Sequence, residues 1–95
     1  MARRHQFHLD HAGHSITVTV RSGLTSEVEL LVDGKEVFCQ HLHGAGTSLL
    51  TAELPTDPPR PFRVHLHQSR LGSGVPRCVL EIGGTEQPMP ERAVV

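Results

Sequence analysis

The sequence predicts an all-β fold: an antiparallel β-sandwich of about eight short strands, built from two similar four-strand halves. Two observations predict it. Apolar and polar residues alternate with a period of two along most of the chain, and one strand–loop–strand–turn pattern occurs twice. The two copies are residues 16–20, 28–32 and Asp33-Gly34, then residues 62–66, 78–82 and Gly83-Gly84. A small β-barrel is the alternative way to close such strands.

The N-terminal segment predicts two strands joined by a turn. Phe7 and Leu9 alternate with polar residues, and residues 10–14 supply the turn. Ile16, Val18 and Val20 then alternate with threonines, which is typical of a half-buried strand.

Asp33-Gly34 predicts a tight type I′ hairpin, because both central residues of that turn need positive φ. A regular ladder from this turn pairs Leu30 with Val37 and Val28 with Cys39. We therefore expect these five residues on the buried face: Val28, Leu30, Val32, Val37 and Cys39. Leu31 and Phe38 fall on the opposite face, where they form a candidate interaction patch.

Gly83-Gly84 repeats this logic and places Cys78, Leu80 and Ile82 inward. Pro88 then lies in an edge strand, because proline cannot donate to a ladder. Another strand is expected at residues 48–54, with Leu50, Ala52 and Leu54 on one face.

A single domain over residues 1–95 accounts for the length, which is near the usual size for one core. The first half covers about residues 5–43 and the second about 48–90. The proline-rich segment 55–61 forms a stiff connector within the second half.

Several of these segments together resemble the animal Fas apoptotic inhibitory molecule family. They are Asp33-Gly-Lys-Glu-Val, Phe62-Arg-Val-His-Leu, the Gly72-Ser-Gly loop, Cys78-Val-Leu-Glu-Ile-Gly-Gly-Thr-Glu and the late proline. The resemblance covers most of the chain in outline and implies a β-sandwich with no enzymatic activity, acting as a binding or regulatory module. It transfers no site residues, and this chain lacks the tryptophans typical of the family.

Eight histidines in 95 residues raise the alternative of a Zn²⁺ or Cu²⁺ site. His41 with His43, and His65 with His67, are His-x-His pairs whose members share one side of a strand. Cys39 is a further candidate ligand on the side of His41 and His43. The competing interpretation leaves His65 and His67 on a solvent face, Cys39 in the core, and the protein without any cofactor.

Catalysis is not expected. Both cysteines map to inward positions, and a buried thiol has a raised pKa and little reactivity. The glutamates alternate with apolar residues, as on solvated strand faces, and no serine lies in a nucleophile elbow. A net charge of −1 and three aromatic residues argue against nucleic-acid binding.

The expected function is therefore that of a non-catalytic β-sandwich module for protein–protein interaction. No run of apolar residues is long enough to span a membrane, and two cysteines without a secretory signal favour the cytoplasm. Its partner is an unidentified protein or another domain of a longer parent chain, and the chain itself is a monomer or weak dimer.

Overall fold

The computed structural model describes residues 3–22, 26–42, 46–68 and 76–92, which contain nine β-strands and no helix. The strands are β1 (Arg3–His11), β2 (His14–Ser22), β3 (Ser26–Val32), β4 (Lys35–Leu42), β5 (Gly46–Leu54), β6 (Arg60–Gln68), β7 (Arg77–Ile82), β8 (Thr85–Met89) and β9 (Glu91–Arg92).

The strands form two antiparallel sheets, one of five strands in the order β4-β3-β2-β1-β9 and one of four in the order β5-β6-β7-β8. Among the described strands, neither sheet closes into a barrel. The predicted all-β class, with strands paired antiparallel in two sheets, is confirmed.

The chain divides into two compact units, one of Met1–His43 with Pro90–Val95 and one of Gly44–Met89. Within each unit, four consecutive strands run up and down as neighbours. In the first unit, β9 adds to the outer side of β1 by pairing with Gln6 and Phe7.

The three two-residue turns have the geometry of type I′. The central φ angles are 51° and 81° at Ala12-Gly13, 52° and 83° at Asp33-Gly34, and 59° and 78° at Gly83-Gly84. The second residue of each turn is glycine, which adopts positive φ without steric cost. These turns set the register of hairpins β1–β2, β3–β4 and β7–β8.

Asp33 also ties its turn to β2. The Ser15 amide donates to Asp33 Oδ1 at 2.9 Å, and the Asp33 amide donates to the Ser15 carbonyl at 2.8 Å. His14 Nδ1 lies 2.8 Å from Asp33 Oδ2. The imidazole hydrogen bond, followed by that from Ser15, lowers the pKa of the Asp33 carboxyl.

The buried apolar side chains follow the predicted alternation, while Thr19, between Val18 and Val20, is buried as well. The buried apolar residues are Phe7, Ile16, Val18, Val20, Val28, Leu30, Val32, Leu42, Leu50, Leu54, Phe62, Val64, Leu66, Cys78, Leu80, Ile82 and Met89. The inward assignments of Cys78, Leu80 and Ile82 are confirmed, as are those of Val28, Leu30 and Val32.

The predicted core assignment of Val37 and Cys39 is wrong. A β-bulge interrupts the β3–β4 ladder between Leu30 and Leu31, so that Leu30 pairs with Phe38 instead of Val37. Val37 becomes the unpaired extra residue and is 45% exposed. Every residue of β4 beyond the bulge changes face, which turns Cys39 outward.

A smaller difference concerns the start of β6. Residues 60 and 61, predicted as connector, lie in β6, because Arg60 pairs with Leu54 and Pro61 pairs with Glu53. The ladder between β6 and β7 begins only at Arg63, so Pro61 lies in a part of β6 that pairs with β5 alone. Within the described residues there is also no helix with the length and apolar character needed to cross a membrane.

Candidate functional site

The outer edge of β5 is the candidate functional site of this chain. β5 pairs with β6 over its whole length, from Gly46 opposite Gln68 to Leu54 opposite Arg60. No other described strand pairs with β5. Its nine residues therefore present one side of the backbone without a ladder partner among the described strands.

The side chains of β5 alternate between the two faces of the sheet. Leu50 and Leu54 are buried, whereas Thr47, Leu49, Thr51 and Glu53 point to the opposite, exposed face. Leu49 is 48% exposed and is one of two large apolar side chains that the described residues leave this open to solvent. The edge thus combines unpaired backbone with an exposed apolar side chain.

The other edges carry features that hinder pairing with another chain. The Val37 bulge distorts β4, and Pro88 removes an amide donor from β8. The edge of β1 is partly covered by β9 and by a hydrogen bond from the His8 amide to the Pro90 carbonyl at 3.1 Å. β5 contains no proline, no lysine or arginine, and no bulge.

An open groove of about 490 Å³ lies beside the C-terminal half of β5. Thr51, Glu53, Arg63, Glu81 and the Gly83-Gly84 turn contribute to its walls. His65 Nε2 lies 2.8 Å from Glu81 Oε1. Because that hydrogen bond and the nearby Arg63 charge lower its pKa, the Glu81 carboxyl is ionised at neutral pH and has no proton to donate.

The predicted metal ligands are held by different partners. In the second unit, His65 bonds Glu81, while His67 Nδ1 lies 3.1 Å from the Thr47 hydroxyl. In the first unit, His41 is exposed on β4, and His43 lies outside the described residues. Among the residues that the structure describes, no group of three or more His, Cys, Asp or Glu is placed to hold a metal ion. Zn²⁺ or Cu²⁺ binding stays a prediction.

Cys39 joins the outward, acidic face of the β3–β4 hairpin. Its thiol donates to Glu27 Oε1 at 3.6 Å, and it pairs with Glu29 across the ladder. Partial desolvation and then the Glu27 carboxylate raise the pKa of the Cys39 thiol. Burial raises the pKa of Cys78 to about 12. Neither thiol is therefore activated as a nucleophile.

A hydroxyl–imidazole–carboxylate series on the first sheet was not predicted from the sequence. His8 Nδ1 lies 3.0 Å from the Thr17 hydroxyl, and His8 Nε2 lies 3.0 Å from Asp10 Oδ1. Thr17 is a mid-strand residue that pairs with His8 on one side and Leu31 on the other. Its surrounding amides are engaged in the ladder and are not free to form an oxyanion hole, so we interpret the series as cross-strand stabilisation.

The predicted patch of Leu31 and Phe38 is not a single surface. Leu31 pairs with Glu36, whereas Phe38 pairs with the fully buried Leu30. Because cross-strand partners share a face, the two side chains lie on opposite faces of the hairpin. The β-bulge is again the cause.

The β5 edge was not predicted from the sequence. Among the strands that the structure describes, residues 46–54 form the one strand at a sheet edge that has neither proline, basic residue nor bulge. That composition is readable from the sequence, but it matters only at an edge, and strand order follows from tertiary pairing. No protein-family model, curated protein or solved structure matches this chain.

Proposed function

We propose that this chain is a non-catalytic protein-binding module whose β5 edge accepts an extended segment of a partner. The observation that carries the proposal is the contrast between β5 and the other sheet edges. Strand addition needs an edge that is long, regular and free of proline and basic residues. β5 meets these conditions over nine residues.

The side chains beside this edge suggest what the partner contains. Main-chain hydrogen bonds supply affinity in strand addition, and alternate side chains supply specificity. Leu49 favours an apolar side chain on the exposed face of the added strand. Glu53 and the groove next to it favour a basic or hydroxyl-bearing one, since Glu53 is the only charged residue on β5.

A non-catalytic role agrees with the state of the reactive groups. The thiol pKa values of Cys39 and Cys78 are raised, and the pKa of the Glu81 carboxyl in the groove is lowered. Neither Cys39 nor Cys78 is therefore a ready thiolate nucleophile, and the Glu81 carboxyl has no proton to donate at neutral pH. Two cysteines that form no disulfide support a cytoplasmic location as part of the proposal.

The test is selection of nine- to twelve-residue peptides from a random phage-displayed library on the immobilised domain, the length being about that of β5. Synthetic versions of the enriched peptides are then titrated while amide hydrogen exchange is followed residue by residue. We expect alternating apolar and polar peptides to protect the amides of β5.

The matched variants are Leu49→Lys on β5 and Val37→Lys on β4, whose wild-type residues are 48% and 45% exposed. We expect Leu49→Lys to weaken peptide binding by roughly tenfold, while Val37→Lys leaves it unchanged. Protection that appears on β4 or β8 instead of β5, or equal losses in both variants, would contradict the proposal.

A further inference from the structure

The β5 edge is complementary to itself. Its nine residues run from Gly46 to Leu54, so Leu50 is the central residue. When two copies of β5 meet antiparallel about a two-fold axis at Leu50, each residue of one strand has a partner in the other. Buried positions then oppose buried positions, and exposed positions oppose exposed ones, because the pleat alternates with a period of two.

The side chains agree with this register. Thr47 lies opposite Glu53 of the second copy, and Leu49 lies opposite Thr51, with the two Leu49 side chains as diagonal neighbours. Long side chains can reach their diagonal neighbours. The pairing therefore shields the exposed Leu49 side chain of each copy from water. The single charge of each strand faces a hydroxyl.

Other pairings are less favourable. A parallel in-register pairing places Glu53 directly opposite Glu53, and like charges directly opposite each other are destabilising. An antiparallel pairing centred on Leu49 leaves Glu53 and Leu54 without partners inside the strand. A pairing centred on Thr51 sets the Glu53 carboxylate against Leu49. The register about Leu50 is the one that pairs the whole strand.

We infer that the occupant of the β5 edge is β5 of a second copy of this chain, which gives a symmetric dimer with a continuous eight-stranded sheet. The inference rests on the proposed function, because it names the strand that fills the same edge. An isologous contact of this kind closes on itself. The combined sheet ends at β8 on both sides, where Pro88 hinders further strand addition.

The experiment is sedimentation velocity of the full chain over a concentration series up to about 1 mM, which reaches the weak end of specific association. Amide hydrogen exchange is measured at the two ends of the series. We expect a reversible dimer and β5 amides that become protected as the concentration rises. A protein that stays monomeric, with β5 amides unprotected throughout, overturns the inference.

Two charge variants at one position test the register. Thr47→Lys sets a cation opposite Glu53 at both symmetry-related positions, whereas Thr47→Glu sets like charges there. Both variants remove the Thr47 hydroxyl that lies against His67, so the free energy of unfolding of each variant is measured beside its dimer Kd. We expect Thr47→Lys to lower the dimer Kd by about threefold and Thr47→Glu to raise it by about threefold.

The location is tested by Leu49→Lys, which we expect to raise the dimer Kd by roughly tenfold, against Val37→Lys, which we expect to leave it unchanged. Equal shifts in the two Thr47 variants, or dissociation caused by Val37→Lys, overturn the inference. Circular dichroism and protection of the β6–β7 amides show that each variant is folded.

Failure of the inference and failure of the proposed function give different results. A monomer whose β5 amides are protected by selected peptides overturns the dimer and leaves the binding module standing. A dimer that depends on Leu49, with no peptide binding at concentrations where the chain is monomeric, supports the dimer and overturns the module. If the chain shows no self-association and no peptide protection at β5, both proposals are overturned.

Discussion

The two four-strand units have the same order of strands and differ at their edges. β1–β4 and β5–β8 each run as neighbours in sequence order, and in both the third and fourth strands are joined by a type I′ turn. In the first unit, β9 partly covers the first strand and a bulge distorts the fourth. In the second, Pro88 interrupts the fourth strand, and among the described residues the first strand is neither covered nor bulged. The repeat therefore specifies which strands pair within each sheet, but the features that limit pairing at the sheet edges differ from edge to edge.

The two equivalent hairpins also differ in which face their last residues reach. Cys39 and Met89 both lie six positions after the first turn residue, Asp33 or Gly83. The β7–β8 ladder is regular, so Met89 pairs with Cys78 and is buried. The β3–β4 ladder is bulged, so Cys39 is exposed. One unpaired residue is enough to exchange the faces of a strand.

Thiol labelling gives the largest expected contrast between the hairpins. At neutral pH, Cys39 is expected to react with Ellman's reagent in the folded protein, more slowly than an unperturbed thiol because its pKa is raised. Cys78 should react only through unfolding, at least about a thousandfold more slowly. Cys39→Ser and Cys78→Ser isolate the two rates. Fast labelling of Cys78 in folded Cys39→Ser would contradict its burial.

Truncation of equivalent core residues is the next largest effect. Leu30 and Leu80 each lie three positions before their turn, and both are fully buried. Leu30→Ala and Leu80→Ala are each expected to lower the free energy of unfolding by about 2–5 kcal/mol. Urea unfolding measures the loss. Val37→Ala is the control, with a change within about 0.5 kcal/mol because Val37 is half exposed.

Deletion of Val37 removes the bulge that distinguishes the β3–β4 hairpin from the β7–β8 hairpin. Without the extra residue, a regular ladder from Asp33-Gly34 still sets Phe38 opposite Leu30 and Cys39 opposite Glu29. We expect the fold to persist, with a change in the free energy of unfolding within about 1 kcal/mol. The β4 edge becomes straight and should associate more readily, as light scattering after size-exclusion chromatography would show. Loss of the folded state would mean that the bulge is required for folding.

The smallest expected effect concerns carboxylates on the exposed faces. A hydrogen bond donated to Glu36 by the protonated carboxyl, and then desolvation, raise the pKa of Glu29. His65 instead lowers the pKa of Glu81, which pairs with Glu86 in the other hairpin. Glu36→Gln should therefore raise the free energy of unfolding at pH 7 by about 0.5 kcal/mol. Glu86→Gln, the matched control, should raise it less.

The pH dependence of this gain has a definite sign. A carboxyl with a raised folded-state pKa binds more protons folded than unfolded, so the wild type becomes more stable as the pH falls through that raised pKa. The advantage of Glu36→Gln should be complete above the raised pKa of Glu29 and disappear near pH 4.5, the ordinary pKa of a glutamate side chain. Chemical unfolding at several pH values measures it. A gain that persists in acid would assign the effect to something other than carboxylate repulsion.

Local chemistry accounts for the parts of the structure that were predicted correctly. Period-two alternation marks the strands, and the Asp33-Gly34 and Gly83-Gly84 dipeptides fix two of the turns, because few residues tolerate positive φ twice in succession. The regular ladder of β7–β8 then follows by counting outward from Gly83-Gly84. The resemblance to the Fas apoptotic inhibitory molecule family, the metal site and the partner stay predictions.

The sequence by itself determined the all-β class, the strand pattern of the two halves and most of the buried residues, because these depend on neighbours within a few positions. The tertiary structure decided the bulge at Val37, the pairing of β9 with β1 and the exposure of the β5 edge. Whether a strand lies at an edge depends on partners distant in the chain, and the bulge is visible only in the pairing of Leu30 with Phe38. No local sequence pattern predicts which strand lies at an edge or where the bulge forms.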